Sequence, residues 1–323
     1  MTSSRLAAKP APKSAIGRPL SRRAGALALL LVVLQPEVAA ALAVIDQTGR
    51  SVALAGAPRR VVSLVPSVTE VLFAIGAQDL LVGVTDFCDY PPAARAKPRV
   101  GGMLAPSLET LVRLQPDVVV ATTAGNREET FDQIERLKIP VYLVNPASVA
   151  DVLDLIRRLG ALTSHSGEAA RVVAGLETRI KVVTGAVAGR IRPRVLYVLW
   201  PDPVIVPGRG SLVGELVALA GGDSVTADQP DAYPRLSLEA AVARAPEVII
   251  LASHSSGQGQ MAREKWERFK SLPAVRAGRI YTADGNLLHR YGPRIADGLE
   301  LLARLLHPAA FPAAPASGRA ARP

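Results

Sequence analysis

The chain is poor in the residues on which several kinds of chemistry depend. Among its 323 residues there is one cysteine, Cys88, there are four histidines, and 4% of positions are aromatic. A lone thiol rules out an internal disulfide framework. His165, His254, His289 and His307 form no clustered pair, so a dedicated zinc or manganese cage of three or four converging ligands has no support. No Gly-x-Ser-x-Gly nucleophile elbow and no Gly-Lys-Ser/Thr phosphate loop occurs. Gly208-Arg209-Gly210 continues as Ser211-Leu212-Val213, without the third spaced glycine of a dinucleotide turn, and Gly101-Gly102 opens no phosphate turn. Enzyme readings therefore lack their motifs, and no catalysis is expected.

Long apolar runs are scarce too. The stretch Ala24–Leu34 is too short to span a bilayer. It follows a basic segment ending in Arg22-Arg23 and precedes Pro36 and the small residues Ala39, Ala41 and Ala43, which is the layout of a secretory signal over residues 1–43. The polar break Gln35-Pro36-Glu37 argues against an uncleaved anchor, and Ser21-Arg22-Arg23 is a weak hint of twin-arginine export. The net charge of +10 lies mostly outside the fold: six basic residues stand against Glu37 in 1–43, and Arg319 and Arg322 sit in the tail, which leaves about +3 for 44–308. A nucleic-acid footprint has no support. A soluble, disulfide-free mature protein is expected.

What the chain does have is a repeat. Ser107-Leu108-Glu109 leads through Val112 to Pro116-Asp117-Val118, and 130 positions later Ser237-Leu238-Glu239 leads through Val242 to Pro246-Glu247-Val248. Upstream, Glu70-Val71-Leu72 reaches Gly76-Ala77 as Glu215-Leu216-Val217 reaches Gly221-Gly222. Two matches in one order imply two halves of one design, and the length suffices for two cores.

Short β-branched runs at 61–65, 81–84, 118–121, 141–144, 194–199 and 248–252 read as strands. Helices are expected from Ser67, as N-cap with Glu70 three residues on, and over 107–114, 128–137, 211–220, 237–245 and 294–306. Between the halves, apolar residues at helical spacing over 167–189 predict one helix of roughly 35 Å at ~1.5 Å per residue. Alternating strands and helices predict an α/β fold of two lobes, each a mainly parallel sheet flanked by helices, joined by one long helix. The segments are 44–165, 166–190 and 191–308, with a disordered tail over 309–323.

In open α/β sheets ligands bind beyond the carboxyl ends of the strands. The loops so placed are 85–99, 121–127, 200–209, 253–260 and 284–294. They contain Asp89-Tyr90-Pro91-Pro92, Gly125-Asn126-Arg127, Trp200-Pro201, His254 and His289-Arg290-Tyr291. Rings that stack and edge groups that hydrogen-bond suit a flat, polar-edged ligand. Asp202, Arg209 and Asp284 receive no assignment.

The ensemble of a strand, Pro66-Ser67-Val68-Thr69-Glu70, Asp89-Tyr90-Pro91-Pro92, Ser107-Leu108-Glu109, Gly125-Asn126, a central helix, Ser237-Leu238-Glu239 and Gly292-Pro293-Arg294 resembles the cobalamin, haem and ferric-siderophore class of ABC-transporter periplasmic binding proteins. The resemblance covers nearly all of 44–308, and the Asp-Tyr-Pro-Pro stretch and Gly-Asn loop are most similar to the cobalamin branch. It implies a periplasmic, monomeric, two-lobe receptor that binds a macrocycle and hands it to an inner-membrane permease dimer with its ATPase. The implied ligand is a corrinoid, with haem or a ferric siderophore as the alternative.

Position by position, Tyr90 matches a cleft tyrosine that packs on the corrin ring, or in haem binders ligates iron. Tyr233 stands where the cobalamin branch has a second-lobe tryptophan, and Arg290 where it has a cleft arginine. Glu109 and Glu239 match paired glutamates that engage permease arginines. Asp89, Met103, Asn126, Trp200, His254 and His289 complete the candidate binding set. Met103 follows Gly101-Gly102 where a tryptophan is frequent, and it could pack flexibly on a macrocycle. Local sequence leaves other roles open. The two glutamates fit helix-start capping boxes, Tyr90 fits a turn packing position, and the histidines fit hydrogen-bonded loop positions as well as axial coordination.

Overall fold

The computed structural model describes residues 42–254 and 258–311. The expected signal segment lies outside the described residues as far as position 41. Leu42–Ile45 instead form strand β1, paired antiparallel with β2 (Ser51–Leu54) in a hairpin the sequence reading does not contain. Its turn is held by buried Asp46, whose Oδ1 accepts from the backbone N–H of Thr48 and of Arg50 at 2.9 Å each.

The first lobe follows as β3 (Val61–Ser63), α1 (Pro66–Ala74), β4 (Leu81–Val84), α2 (Leu108–Leu114), β5 (Val118–Thr122), α3 (Glu128–Arg136), β6 (Val141–Val144) and α4 (Val149–Leu162). Helix α5 (Ser166–Val187) leads to the second lobe: β7 (Arg194–Val198), the hairpin β8 (Trp200–Pro201) and β9 (Val204–Ile205), α6 (Leu212–Leu219), β10 (Asp223–Ser224), α7 (Leu238–Ala243) and β11 (Val248–Ser253). It ends with α8 (Gln258–Glu267), α9 (Pro273–Arg276), β12 (Ile280–Asp284), α10 (Gly285–His289) and α11 (Ile295–Leu306). Each lobe has a four-stranded, all-parallel sheet, ordered β4-β3-β5-β6 and β10-β7-β11-β12. In local numbering both orders are second-first-third-fourth, so the two halves share a topology.

The repeated residues have matching structural tasks. Ser107 and Ser237 N-cap α2 and α7, accepting from Thr110 N and Ala240 N. Both helices end on a non-glycine left-handed residue, Gln115 at φ 44° and Ala245 at φ 45°. After the prolines, Asp117 accepts from Arg60 N at 2.8 Å, and Glu247 from Arg194 N at 2.9 Å, tying each third strand to the entry of the first. Arg60 Nη2 donates to Leu114 O, and Arg194 Nη2 to Arg244 O, at 2.6 Å each. In the second echo, Gly76 and Gly221 both sit at φ 78° past α1 and α6. There glycine accepts the left-handed conformation that lets the next N–H, of Ala77 or Gly222, return to Leu72 O or Val217 O.

The core has three parts. One cluster lies under the outer face of each sheet, around Leu111, Ile134 and Leu143 in the first lobe and Leu196, Ile249 and Trp266 in the second. The third is continuous between the lobes and joins residues of α1, α4, α5, α6 and α11. The 22-residue α5 spans about 33 Å at 1.5 Å per residue. Its Arg179 bonds Asp297 (2.5 Å) and Glu300 (3.0 Å) of α11, so the link is packed along the second lobe and is not a free tether. The tail differs from expectation: Pro308–Ala310 form a 3-10 turn, and Phe311 packs against the shared core with Arg304 over its ring. Residues 312–323 lie outside the described residues.

Candidate functional site

The carboxyl ends of the two sheets border a cavity of about 340 Å³ between the lobes. Val65, Ser67, Met103 and Gly125 line it from the first lobe, and Leu199, Tyr233, His289, Arg290 and Tyr291 from the second. Gly125 admits Met103 closely, since a Cβ there would lie 2.9 Å from the Met103 methyl. Of the residues singled out in the sequence, Met103, Tyr233, His289 and Arg290 thus meet around one space.

Asp89 and Tyr90 stand at its edge in an ion-pair network that crosses between the lobes. Arg290 Nη1 donates to Asp89 Oδ1 at 2.5 Å and reaches Glu70 Oε1 at 3.4 Å, while Nη2 donates to Asn286 Oδ1 at 3.1 Å. Arg294 forks onto Glu70 through Nε (2.8 Å) and Nη2 (2.7 Å), and its guanidinium lies 3.9 Å over the Tyr90 ring. The Glu70 side chain is 2% exposed. Burial is the strongest single influence and works against the Asp89 charge, but the bond to Arg290, the Arg290 charge, a backbone bond and the Arg95 charge together lower the Asp89 pKa. Burial likewise opposes the Arg294 charge most strongly, and Glu70, with Tyr90 and Asp284 adding to it, raises the Arg294 pKa.

This network corrects the expected capping box at Ser67 and Glu70. Proline at the first helical position lacks the N–H that would go unpaired there and presets φ, so α1 starts at Pro66 with Val65 as cap residue and no side-chain cap bond. Glu70 is therefore on a buried face and points to the second lobe. Its echo, Glu215 of α6, does the reciprocal thing: Oε2 accepts from Val149 N at 2.8 Å, in the first turn of α4. Each repeat glutamate, from the helix after the first strand, reaches the start of the other lobe's last helix.

On the second-lobe side, fully buried Tyr197 has its hydroxyl 2.8 Å from His289 Nε2, and His289 Nδ1 is 3.1 Å from His254 Nε2. Burial raises the Tyr197 pKa, so the phenol keeps its proton. With His289 its one partner among the described residues, that buried O–H must donate to it. His289 then carries its proton on Nδ1 and donates to His254. Burial, with His254 adding to it, pushes the His289 pKa down to about 4, which keeps the ring neutral and able to accept. Both His289 nitrogens are thus engaged, and axial coordination by His289 would break the chain. His254 is exposed and the Trp200 ring lies 6.3 Å away, forming a ledge outside the cavity lining. Tyr233 and Tyr291 join hydroxyls at 2.5 Å, and burial raises both pKa values.

Asn126 is not among the residues around the cavity. Its Oδ1 accepts from Thr122 N (2.8 Å) and its Nδ2 donates to Met103 O (2.7 Å) and Leu64 O (3.3 Å), so the amide pins the loop that carries Met103. The expected loop at 284–294 begins as helix α10, capped by Asp284, which accepts from Asn286 N at 2.8 Å. Glu109 and Glu239 lie outside these loops, exposed in the first turns of α2 and α7, without a partner among the described residues. The network residues Glu70, Arg294, Tyr291 and Tyr197 were not among the candidates. The available signal for Glu70 was that it is the one charged residue in 61–78 and is echoed by Glu215.

Among the described residues, no three or more His, Cys, Asp or Glu side chains gather to hold a metal ion, and no helix is long and apolar enough to cross a membrane. Residues 61–287 match the family model described as periplasmic binding protein. The vitamin B12-binding protein of Salmonella typhimurium is 31% identical over 216 residues, covering 67% of this chain and 80% of that protein. Its namesake from Vibrio cholerae is 28% identical over 241 residues, 75% of this chain and 86% of that protein. Among solved structures, the periplasmic vitamin B12 binding protein BtuF of Vibrio cholerae aligns with TM-score 0.69 and 27% identity over 78% of this chain and 98% of its own. The periplasmic haem-binding protein RhuT from Roseiflexus sp. RS-1, in apo form, aligns with TM-score 0.70 and 27% identity over 78% and 99%. Backbone similarity thus does not choose between these ligands, but it agrees with the family match in architecture. This two-lobe chain, with its cleft between parallel sheets, belongs to the periplasmic binding protein family, whose members bind solutes for transport and are not enzymes.

Proposed function

We propose that this protein is the extracytoplasmic component of an ABC importer that captures cobalamin or a related corrinoid between its lobes and delivers it to an inner-membrane permease dimer with its ATPase. The observation that carries the reading is the inter-lobe cavity, which sets the flexible Met103 and the Tyr233–Tyr291 pair on opposite sides with polar groups at the rim. Relatives named vitamin B12-binding proteins, at 28% and 31% identity, support it. At about 340 Å³ the cavity is at the small end for a ligand site, so most of a corrinoid would stand between the lobe rims, against Tyr90, Trp200 and His254. Asn126 acts by positioning Met103.

In this reading the lobes run over 44–165 and 191–308 with 166–190 as link, the protein is a monomer, and a signal within residues 1–43 directs export to the periplasm. Lobe closure is small, because the shared core and both glutamate clamps join the lobes. The repeat supports permease docking by Glu109 and Glu239. The repeated serines, the residues at 115 and 245, the acids at 117 and 247 and the arginines at 60 and 194 all have structural partners or conformations in common, whereas these two identical carboxylates are exposed and have no partner among the described residues.

The test is calorimetric titration of the mature protein with cyanocobalamin, dicyanocobinamide and haemin in parallel. Saturable one-to-one corrinoid binding is expected. Haemin binding alone would overturn the reading in favour of haem uptake, and silence from all three would direct the search to ferric siderophores.

A further inference from the structure

We propose that Asp89 is a specificity-determining residue, a carboxylate built into the cleft that occupies Arg290 and thereby turns away carboxylate-edged macrocycles in favour of neutral, amide-edged ones. The proposal rests on the corrinoid reading and names which ring edge the cleft accepts. Arg290 lines the cavity and would ordinarily be the group that receives a ligand carboxylate, since guanidinium and carboxylate pair through parallel charge-assisted bonds. Both of its Nη nitrogens are engaged. Nη1 bonds Asp89 and approaches Glu70, and Nη2 bonds Asn286. Glu70 is itself committed to Arg294, and that carboxylate is 2% exposed. Asp89 is the one exchangeable partner, with its side chain 46% exposed at the rim.

The cluster contains two cations, Arg290 and Arg294, and two anions, Glu70 and Asp89, so it is neutral before any ligand arrives. A ligand carboxylate would either displace Asp89 from Arg290 or take the remaining Nε–H beside it, and in both cases it adds an unpaired negative charge at a partly desolvated edge. An amide oxygen carries no such penalty. Arg290 Nε–H has no partner among the described residues and can donate to a neutral carbonyl while Asp89 stays in place. Rejection by a resident like charge is a common way for a site to gain selectivity beyond its attractive contacts.

The experiment compares the wild-type protein with Asp89→Asn and Asp89→Glu, each verified as folded by its melting curve, in titrations with cyanocobalamin, haemin and haemin dimethyl ester. Asp89→Asn leaves Arg290 in search of an anion. Its haemin affinity should rise about 10- to 100-fold relative to its affinity for the ester, the worth of one charge-assisted hydrogen bond. Asp89→Glu should keep the wild-type preference. No gain for haemin, or an equal gain for the ester, would overturn the assignment. The wild-type cyanocobalamin titration judges the corrinoid reading by itself, so the two failures are distinguishable.

Discussion

Replacing Glu70 by Ala should weaken the fold by far more than a surface ion pair is worth. The carboxylate is 2% exposed and accepts two short bonds from Arg294, at 2.8 and 2.7 Å, with Arg290 a weaker third at 3.4 Å. Two charge-assisted bonds at roughly 1.5–3 kcal/mol each give a cost of about 3–6 kcal/mol. Breaking a buried pair from one side costs about 3–5 kcal/mol, because the partner cation stays desolvated. For a chain of this size that is a drop of roughly 6–20 °C in Tm. Urea unfolding followed by circular dichroism and by tryptophan fluorescence would measure it. Trp200 and Trp266 both lie in the second lobe, so coincident curves would also show that the lobes unfold together. Glu177→Ala is the control, since its pair with Arg157 is 52% exposed on each side and should be worth about 0–1 kcal/mol. If Glu70→Ala costs no more than that control, the lobes are not clamped as argued. The pair Glu70→Leu with Arg294→Met should recover much of the loss, because apolar replacements leave no buried charge.

Three further outcomes follow from the structure. His289 is depressed to about 4 from 6.5, so the unfolded chain takes up its proton first, and stability should fall as pH drops from about 6.5 to about 4, by roughly 3 kcal/mol in all; His289→Gln should remove most of that slope in urea titrations across the window. Glu109→Ala with Glu239→Ala should abolish uptake into cells while leaving ligand affinity unchanged by calorimetry, and a fall in affinity would refute a docking role. Mass spectrometry of the exported protein should place the mature N-terminus at or before Leu42. A cut after Ala43 would remove β1 residues that pair with Leu54 and Ala53.

The two-lobe α/β plan was legible in the chain alone. Alternating apolar runs and amphipathic stretches are local signals, and the repeat 130 positions apart revealed that the lobes share one design. Strand ends and loop chemistry, read in order along the chain, also marked His289 and Arg290, while Met103 and Tyr233 were marked only by the resemblance to the cobalamin branch. The sequence reading missed the β1–β2 hairpin, which begins inside the segment assigned to the signal, and it misread Ser67 and Glu70 as a capping box, because a serine with a glutamate three residues on carries the same local pattern either way. Only the tertiary structure decided that Glu70 and Glu215 cross between lobes, that Asn126 holds Met103 instead of facing the cavity, and that Arg290 arrives already neutralised by Asp89. Those facts join residues up to 224 positions apart, and a pairing over such separations depends on how two sheets and a 22-residue helix bring distant chain together, which no local propensity encodes.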